Sequence, residues 1–264
     1  MSTEKGWNTI SKAYQKKTRI SLNDVHWGPI SAGESSLRLL GNVKNKDILE
    51  IGCGGGQNTI VLKAWGARPV GLDLSQEQLK HARKLAKKEG AEVQFVHGNM
   101  ENLSRFENES FDIVLSAFGM GYSENLTKTI RETFRVLKKN GLLVFAEVHP
   151  IAERGRLIRH GKARAWKIVD YFNREKHKWI WKIGDAKAKF NTHWRTLQDY
   201  FDLLIETGYV VERILEPEPF ALDKMTLEER DKTAPYMGDG ERNLKNFDIW
   251  KKIPFTIIFK ARKT

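Results

Sequence analysis

The chain has 264 residues, 30% of them charged, a formal charge of +12 and one cysteine, Cys53. That length supports one large α/β core with decorations, and a lone cysteine excludes an intrachain disulfide framework and favours a reducing compartment. The stretch from Met1 to Lys17 is polar and basic with no apolar h-region, and no apolar run is long enough to span a bilayer, so a cytoplasmic protein is expected.

Trp7, Ile10 and Tyr14 share one helical face and predict a short helix before the core. His26-Trp27-Gly28-Pro29 is turn chemistry that would leave Trp27 exposed, and Ser35 to Leu40 reads as a short helix closed by Gly41. Residues 1–45 would thus form an N-terminal helical segment over the ligand site of a core spanning 46–264.

From Asp47 short apolar runs alternate with amphipathic stretches, the pattern of a mostly parallel sheet covered on both faces. Strands are expected at Ile48 to Ile51, Pro69 to Leu72, Val93 to His97, Phe111 to Leu115 and Leu142 to Val148. Helices fall between them: Asn58 to Trp65, one capped by Ser75 with Gln78 completing a capping box, and one marked by Ile130, Phe134 and Leu137. After His149-Pro150 the period is lost; 151–192 is rich in Lys, Arg and aromatics. A helix from Leu197 to Thr207, capped by Thr196, and strands at Tyr209 to Leu215 and Phe255 to Phe259 complete a doubly wound, mostly parallel, seven-stranded α/β sheet. Two cap insertions interrupt it after strands five and six, at about 151–192 and 217–252.

Glu50-Ile51-Gly52-Cys53-Gly54-Gly55-Gly56-Gln57-Asn58 joins the first strand to its helix, so it is a ligand-binding turn. A dinucleotide fold needs a third glycine at position 57, which is Gln57, and Glu50 would be a poor neighbour for pyrophosphate but a good one for an ammonium group. The stretch resembles the acidic-x-G-x-G-x-G motif of the class I S-adenosylmethionine (SAM) dependent methyltransferases. Val70 to Ser75, Gly98-Asn99-Met100, Phe111 to Ser116, and Arg135 to Lys138 with Gly141 to Leu143 resemble the later motifs of that family in order.

The resemblance implies the Rossmann-like methyltransferase fold, SAM as cofactor and S-adenosylhomocysteine as product. It also implies a set of contacts. Gly52, Gly54 and Gly56 would admit the methionyl and ribose portion, with Cys53 and Asn58 in and beside the turn. Glu50 would fix that turn and attract the cationic end, while Asp73 would accept from both ribose hydroxyls. Leu74 and Met100 would sandwich the adenine. Asn99, where the family usually has Asp, would still accept from its amino group. Ser116 and Ala117 would offer main-chain carbonyls to the ammonium.

Methyl transfer from a sulfonium is an in-line displacement, so positioning carries most of it and a base is needed only for a protonated acceptor. The candidate bases are His149, at the end of strand five, and His193. Tyr14, Trp27, Tyr171 and Phe172 are candidate cap or substrate contacts. No metal site is expected.

The expected acceptor is an O, N or C atom of a small molecule, as in enzymes similar to the ubiquinone and menaquinone methyltransferases. Ser116-Ala117-Phe118-Gly119 lacks the signature of adenine amino methylation, and Cys53 lies inside motif I instead of beyond it, where a cytosine C5 enzyme has its nucleophile. Two alternatives stand beside this: an RNA methyltransferase using the basic aromatic insertion, and a SAM or S-adenosylhomocysteine binding module without turnover. Nucleic acid is thus a possible but weaker partner, and the sequence assigns no oligomeric state.

Overall fold

The structure, a computed structural model, describes residues 2–18, 20–161, 163–219, 226 and 251–264. Most of the predicted insertion at 217–252 lies outside the described residues.

Five parallel strands form the centre: β1 (Asp47–Ile51), β2 (Arg68–Asp73), β3 (Gln94–His97), β4 (Phe111–Ala117) and β5 (Leu137–Val148). With β10 (Tyr209–Leu215) and β11 (Thr256–Lys263) they make a seven-stranded sheet ordered β10-β11-β5-β4-β1-β2-β3, in which β11 runs antiparallel to both neighbours. Leu49, Ile51, Val114, Leu143 and Phe145 fill one face; Ile48, Ile113, Leu115 and Val144 fill the other. Near-continuous apolar strands are what burial on both faces demands. Helices α3 (Gln57–Ala64), α4 (Gln76–Lys88), α5 (Leu126–Val136) and α7 (Leu197–Thr207) connect the strands. Their caps follow the chemistry of the sequence: the Ser75 hydroxyl accepts from the Gln78 N–H at 3.2 Å, and Thr196 and Asp199 form a reciprocal capping box.

Three local expectations change. The helix marked by Ile130, Phe134 and Leu137 ends at Val136, because Leu137 already pairs with Phe111, and β5 passes through Asn140 at φ 62°. The apparently aperiodic 151–192 stretch is a short helix α6 (Pro150–Glu153) and two hairpins, β6 (Gly155–His160) with β7 (Ala163–Ile168), and β8 (Lys176–Ile183) with β9 (Ala186–His193). Gly184, at φ 56°, opens the two-residue turn between β8 and β9.

Trp27 is the third: it is fully buried, not exposed, and its Nε1–H donates to Glu34 Oε2 at 3.0 Å beneath the short helix α2 (Glu34–Leu37). Glu34 also accepts from the Leu40 N–H at 2.6 Å, so the indole shares the buried carboxyl with backbone donors. Trp27→Phe keeps an aromatic ring and removes that donor. It should cost about 1–2 kcal/mol and lower the midpoint of thermal unfolding; an unchanged midpoint would mean that the hydrogen bond contributes nothing.

Helix α1 (Thr3–Lys17) leaves the sheet altogether and packs between the β8–β9 hairpin and α4. Its Ile10 is buried with Ala188 and Phe190 of β9.

Candidate active site

A cavity of about 1080 Å³ opens at the carboxyl ends of β1, β2, β4 and β5, beside the point where the strand order reverses between β1 and β4. Open α/β sheets bind ligands at such a crevice. Its volume exceeds the ~300–1,000 Å³ usual for a single small ligand, leaving room for two molecules.

The floor is the glycine turn. Gly52, Gly54 and Gly56 all have positive φ, at 70°, 53° and 79°, which explains why glycine recurs at every second position. A Cβ at Gly54 would meet nothing within 4 Å, whereas one at Gly56 would lie 2.6 Å from the Phe95 ring. Gly54 therefore faces open space, and Gly56 is packed under α3 without reaching the cavity.

Asp73 fixes the turn from β2. Its Oδ2 accepts from the Gly54 N–H at 2.8 Å and its Oδ1 from the Ser75 N–H at 2.7 Å. Each carboxylate oxygen has a second lone pair, so both remain able to accept from a diol. Burial raises the Asp73 pKa against these two bonds. Glu50, buried at the end of β1, is pushed up to about 7 by desolvation, opposed by the Thr59 hydroxyl and Asn58.

Glu50, Gly52, Cys53, Gly54, Asp73, Leu74, Asn99, Met100 and Ala117 all line the cavity. Asn99 Oδ1 accepts from the Glu101 N–H at 2.9 Å, which leaves one lone pair for a ligand. Asn58 and Ser116, like Gly56, do not line it. Asn58 Oδ1 accepts from the His26 N–H at 2.9 Å, tying the N-terminal segment to α3, while Ser116 Oγ is buried without a partner behind Gly119. The residues present fit SAM on three structural grounds: spare acceptors on Asp73, a glycine turn open toward the cavity, and a buried acid, Glu50, on the lining that would suit a cationic ligand.

The predicted cap residues divide. Tyr14 lines the cavity. Trp27 packs in the core, and Tyr171 and Phe172 lie off the cavity, Phe172 at 74% exposure, because the loop carrying them folds outward after β7. The histidines divide as well. His193 lines the cavity, whereas His149 has its Nε2 2.7 Å from Glu216 Oε1, and its Nδ1 accepts from the Ile151 N–H at 3.0 Å to cap α6. His149 is thus removed from the candidate bases by two structural bonds that occupy both ring nitrogens. Burial, with Arg195 and Lys176 nearby, lowers the His193 pKa.

The roof joins the cap aromatics Tyr14 and Trp181 to Trp7, Gln15 and Asn8, whose roles the sequence did not indicate. Trp7 of α1 meets Tyr14, Tyr122, Phe190 and Trp181 edge-on at centroid distances of 5.2–5.7 Å. Gln15 locks α1 over the turn: its Nε2 donates to Gln78 Oε1 at 2.7 Å and its Oε1 accepts from Gln57 Nε2 at 2.9 Å. Asn8 Oδ1 accepts from the Ser75 hydroxyl at 2.7 Å. Glu147 at the end of β5 and Glu153 of α6 complete the wall. Glu147 carries the same signature as Glu50, one carboxylate within an apolar strand, and that signal could have found it.

A family profile described as a methyltransferase domain matches residues 49–145. A Bacillus subtilis protein named uncharacterized methyltransferase YbaJ is 32% identical over 188 residues, covering 69% of this chain and 73% of its own length. The demethylmenaquinone methyltransferase of Tropheryma whipplei is 28% identical over 150 residues, 55% of this chain and 59% of that one. Among solved structures, an S-adenosylmethionine dependent methyltransferase from Mesorhizobium loti shares the fold with a TM-score of 0.63 at 22% identity, covering 86% of this chain and 95% of its own. With four family motifs in order on the expected sheet and a glycine turn shaped for the cofactor, the chain belongs to the class I S-adenosylmethionine-dependent methyltransferases.

Proposed function

We propose that this methyltransferase acts on a small molecule enclosed beneath the β8–β9 hairpin, placing the methyl group on an O, N or C atom. The observation that carries this is the alternation of β8. His177, Trp179, Trp181 and Ile183 turn inward and line the cavity, while Lys176, Lys178, Ile180 and Lys182 are exposed, Lys182 also bordering the cavity. Basic and aromatic residues that interleave along the sequence, and there suggest stacking on RNA, stand on opposite faces of the strand. The aromatic rings thus enclose a cavity instead of paving an open basic groove. The likeness to a demethylmenaquinone methyltransferase supports a ring-bearing acceptor.

The cofactor supplies an electrophilic methyl group. The glycine turn, Asp73, Leu74, Asn99, Met100 and the Ala117 carbonyl would hold it, and the roof of Trp7, Tyr14 and Trp181 would exclude water and fix the acceptor. His193 is the hydrogen-bonding candidate beside the acceptor. Among the described residues no helix is long and apolar enough to cross a membrane, and the buried Cys53 thiol suits a cytoplasmic setting.

Incubation with methyl-labelled SAM and a whole-cell extract should place label in the small-molecule fraction. Label confined to RNA would overturn the reading in favour of an RNA methyltransferase using the outward lysines, which also requires RNA binding that weakens steeply with salt.

A further inference from the structure

Glu147, at the end of β5, and Glu153, of α6, are two acids of the cavity that the cofactor site does not use. Glu147 Oε1 accepts from the Gly121 N–H at 3.0 Å, and Glu153 lies near enough to disfavour charge on the Glu147 carboxyl. No basic side chain hydrogen-bonds to either among the described residues. Arg195, whose charge reaches both, donates instead to the carbonyls of His193 at 3.3 Å and Ser123 at 3.1 Å. Arg154, beside Glu153, lies 3.6 Å over the Trp194 ring and donates to the Asn173 and Tyr171 carbonyls.

Tyr122 and Tyr200 lie near enough to both carboxyls to feel their charge, and Trp179 lines the same cavity. Thr192 Oγ1, His193 Nε2 and Trp194 Nε1 are also buried without hydrogen-bond partners along it. Paired carboxyls among aromatic faces attract a compact organic cation by charge and by the ring quadrupoles together.

Resting on the small-molecule reading above, we propose that Glu147 and Glu153 form the acceptor subsite and that the acceptor is a primary or secondary amine with an apolar or aromatic body, methylated on nitrogen. The amine enters as an ammonium ion between the two carboxyls. It gives one proton to the Glu147 carboxylate, and the freed nitrogen lone pair forms the new N–C bond. The C–S bond breaks with its electron pair going to sulfur, leaving S-adenosylhomocysteine and an N-methylammonium product. Charge balances, since the positive charge lost at sulfur reappears on nitrogen. Burial raises both acids, Glu147 to about 8 and Glu153 to about 7, which makes Glu147 basic enough to hold that proton near neutrality.

The test is calorimetric titration of the protein saturated with S-adenosylhomocysteine, using 2-phenylethylamine and its neutral counterpart 2-phenylethanol. The amine should bind at least ~10-fold more tightly, and Glu147→Gln with Glu153→Gln should erase that preference while S-adenosylhomocysteine still binds. Equal binding of the two probes, binding of neither, or a preference that survives both substitutions overturns the amine subsite. The wild-type comparison decides even if the variants fail to fold. Equal probe binding with label still entering small molecules sinks only the amine subsite; label entering RNA alone sinks the small-molecule reading itself.

Discussion

Asp73→Ala should weaken S-adenosylhomocysteine binding by roughly 10²–10⁴-fold, read by calorimetry, and bring methyl transfer down with it. The carboxylate has two jobs that the same substitution ends. It holds the Gly54 and Ser75 N–H groups at 2.8 and 2.7 Å, which sets the curvature of the turn. It also keeps one free lone pair per oxygen for a vicinal diol, and hydrogen bonds to a charged acceptor contribute about 1.5–3 kcal/mol each. Asp73→Asn retains one acceptor oxygen and turns the other position into a donor, so it should fall between wild type and Ala. An Asp73→Ala protein that keeps its circular dichroism and binds within about threefold of wild type would remove Asp73 from the ribose site.

Much of this site is legible in the sequence because its chemistry is local. The glycine turn, the acid ending β2 and the Ser75 cap are fixed by neighbours within a few residues, and β1, β2 and β4 begin and end within two residues of their expected bounds. Cap residues are harder because their roles depend on what folds over them. Trp27 sits in turn chemistry that reads as surface, and only Glu34, seven residues on, gives its indole N–H a buried partner. His149 lies at the end of β5 as expected, but its ring is claimed by Glu216, sixty-seven residues away.

The β8 alternation is present in the sequence as Lys-His-Lys-Trp-Ile-Trp-Lys-Ile. Ile180 on the polar face and His177 on the apolar one blur it, so the strand passes for irregular chain. Gln15 and Asn8 give no sequence signal. Their function is an amide contact with α4 and the turn that arises only when α1 is docked.

Glu147 should make the ligand-free protein lose stability as the pH rises, and Glu147→Gln should remove part of that loss. Its carboxyl is 5% exposed, and burial lifts its pKa from 4.5 to about 8. A folded-state pKa above the unfolded value means that the folded protein binds the proton more tightly. The resulting stabilisation is complete below about pH 4.5 and is lost as the pH climbs through about 8. A tenfold difference in proton affinity between the folded and unfolded chains corresponds to about 1.4 kcal/mol, so the loss between pH 5 and pH 9 is on the order of 2–4 kcal/mol once mutual coupling is allowed for. Glu50 and Glu153, both raised to about 7, titrate in the same window and persist in the variant. Glu147→Gln should therefore flatten the curve of unfolding midpoint against pH without levelling it, and the variant should be more stable than wild type at pH 9. Parallel curves for the two proteins would mean that Glu147 is already ionised in the folded state at neutral pH. Bound 2-phenylethylamine should flatten the wild-type curve as the substitution does, because a cation between Glu147 and Glu153 draws both folded pKa values back toward those of the unfolded chain.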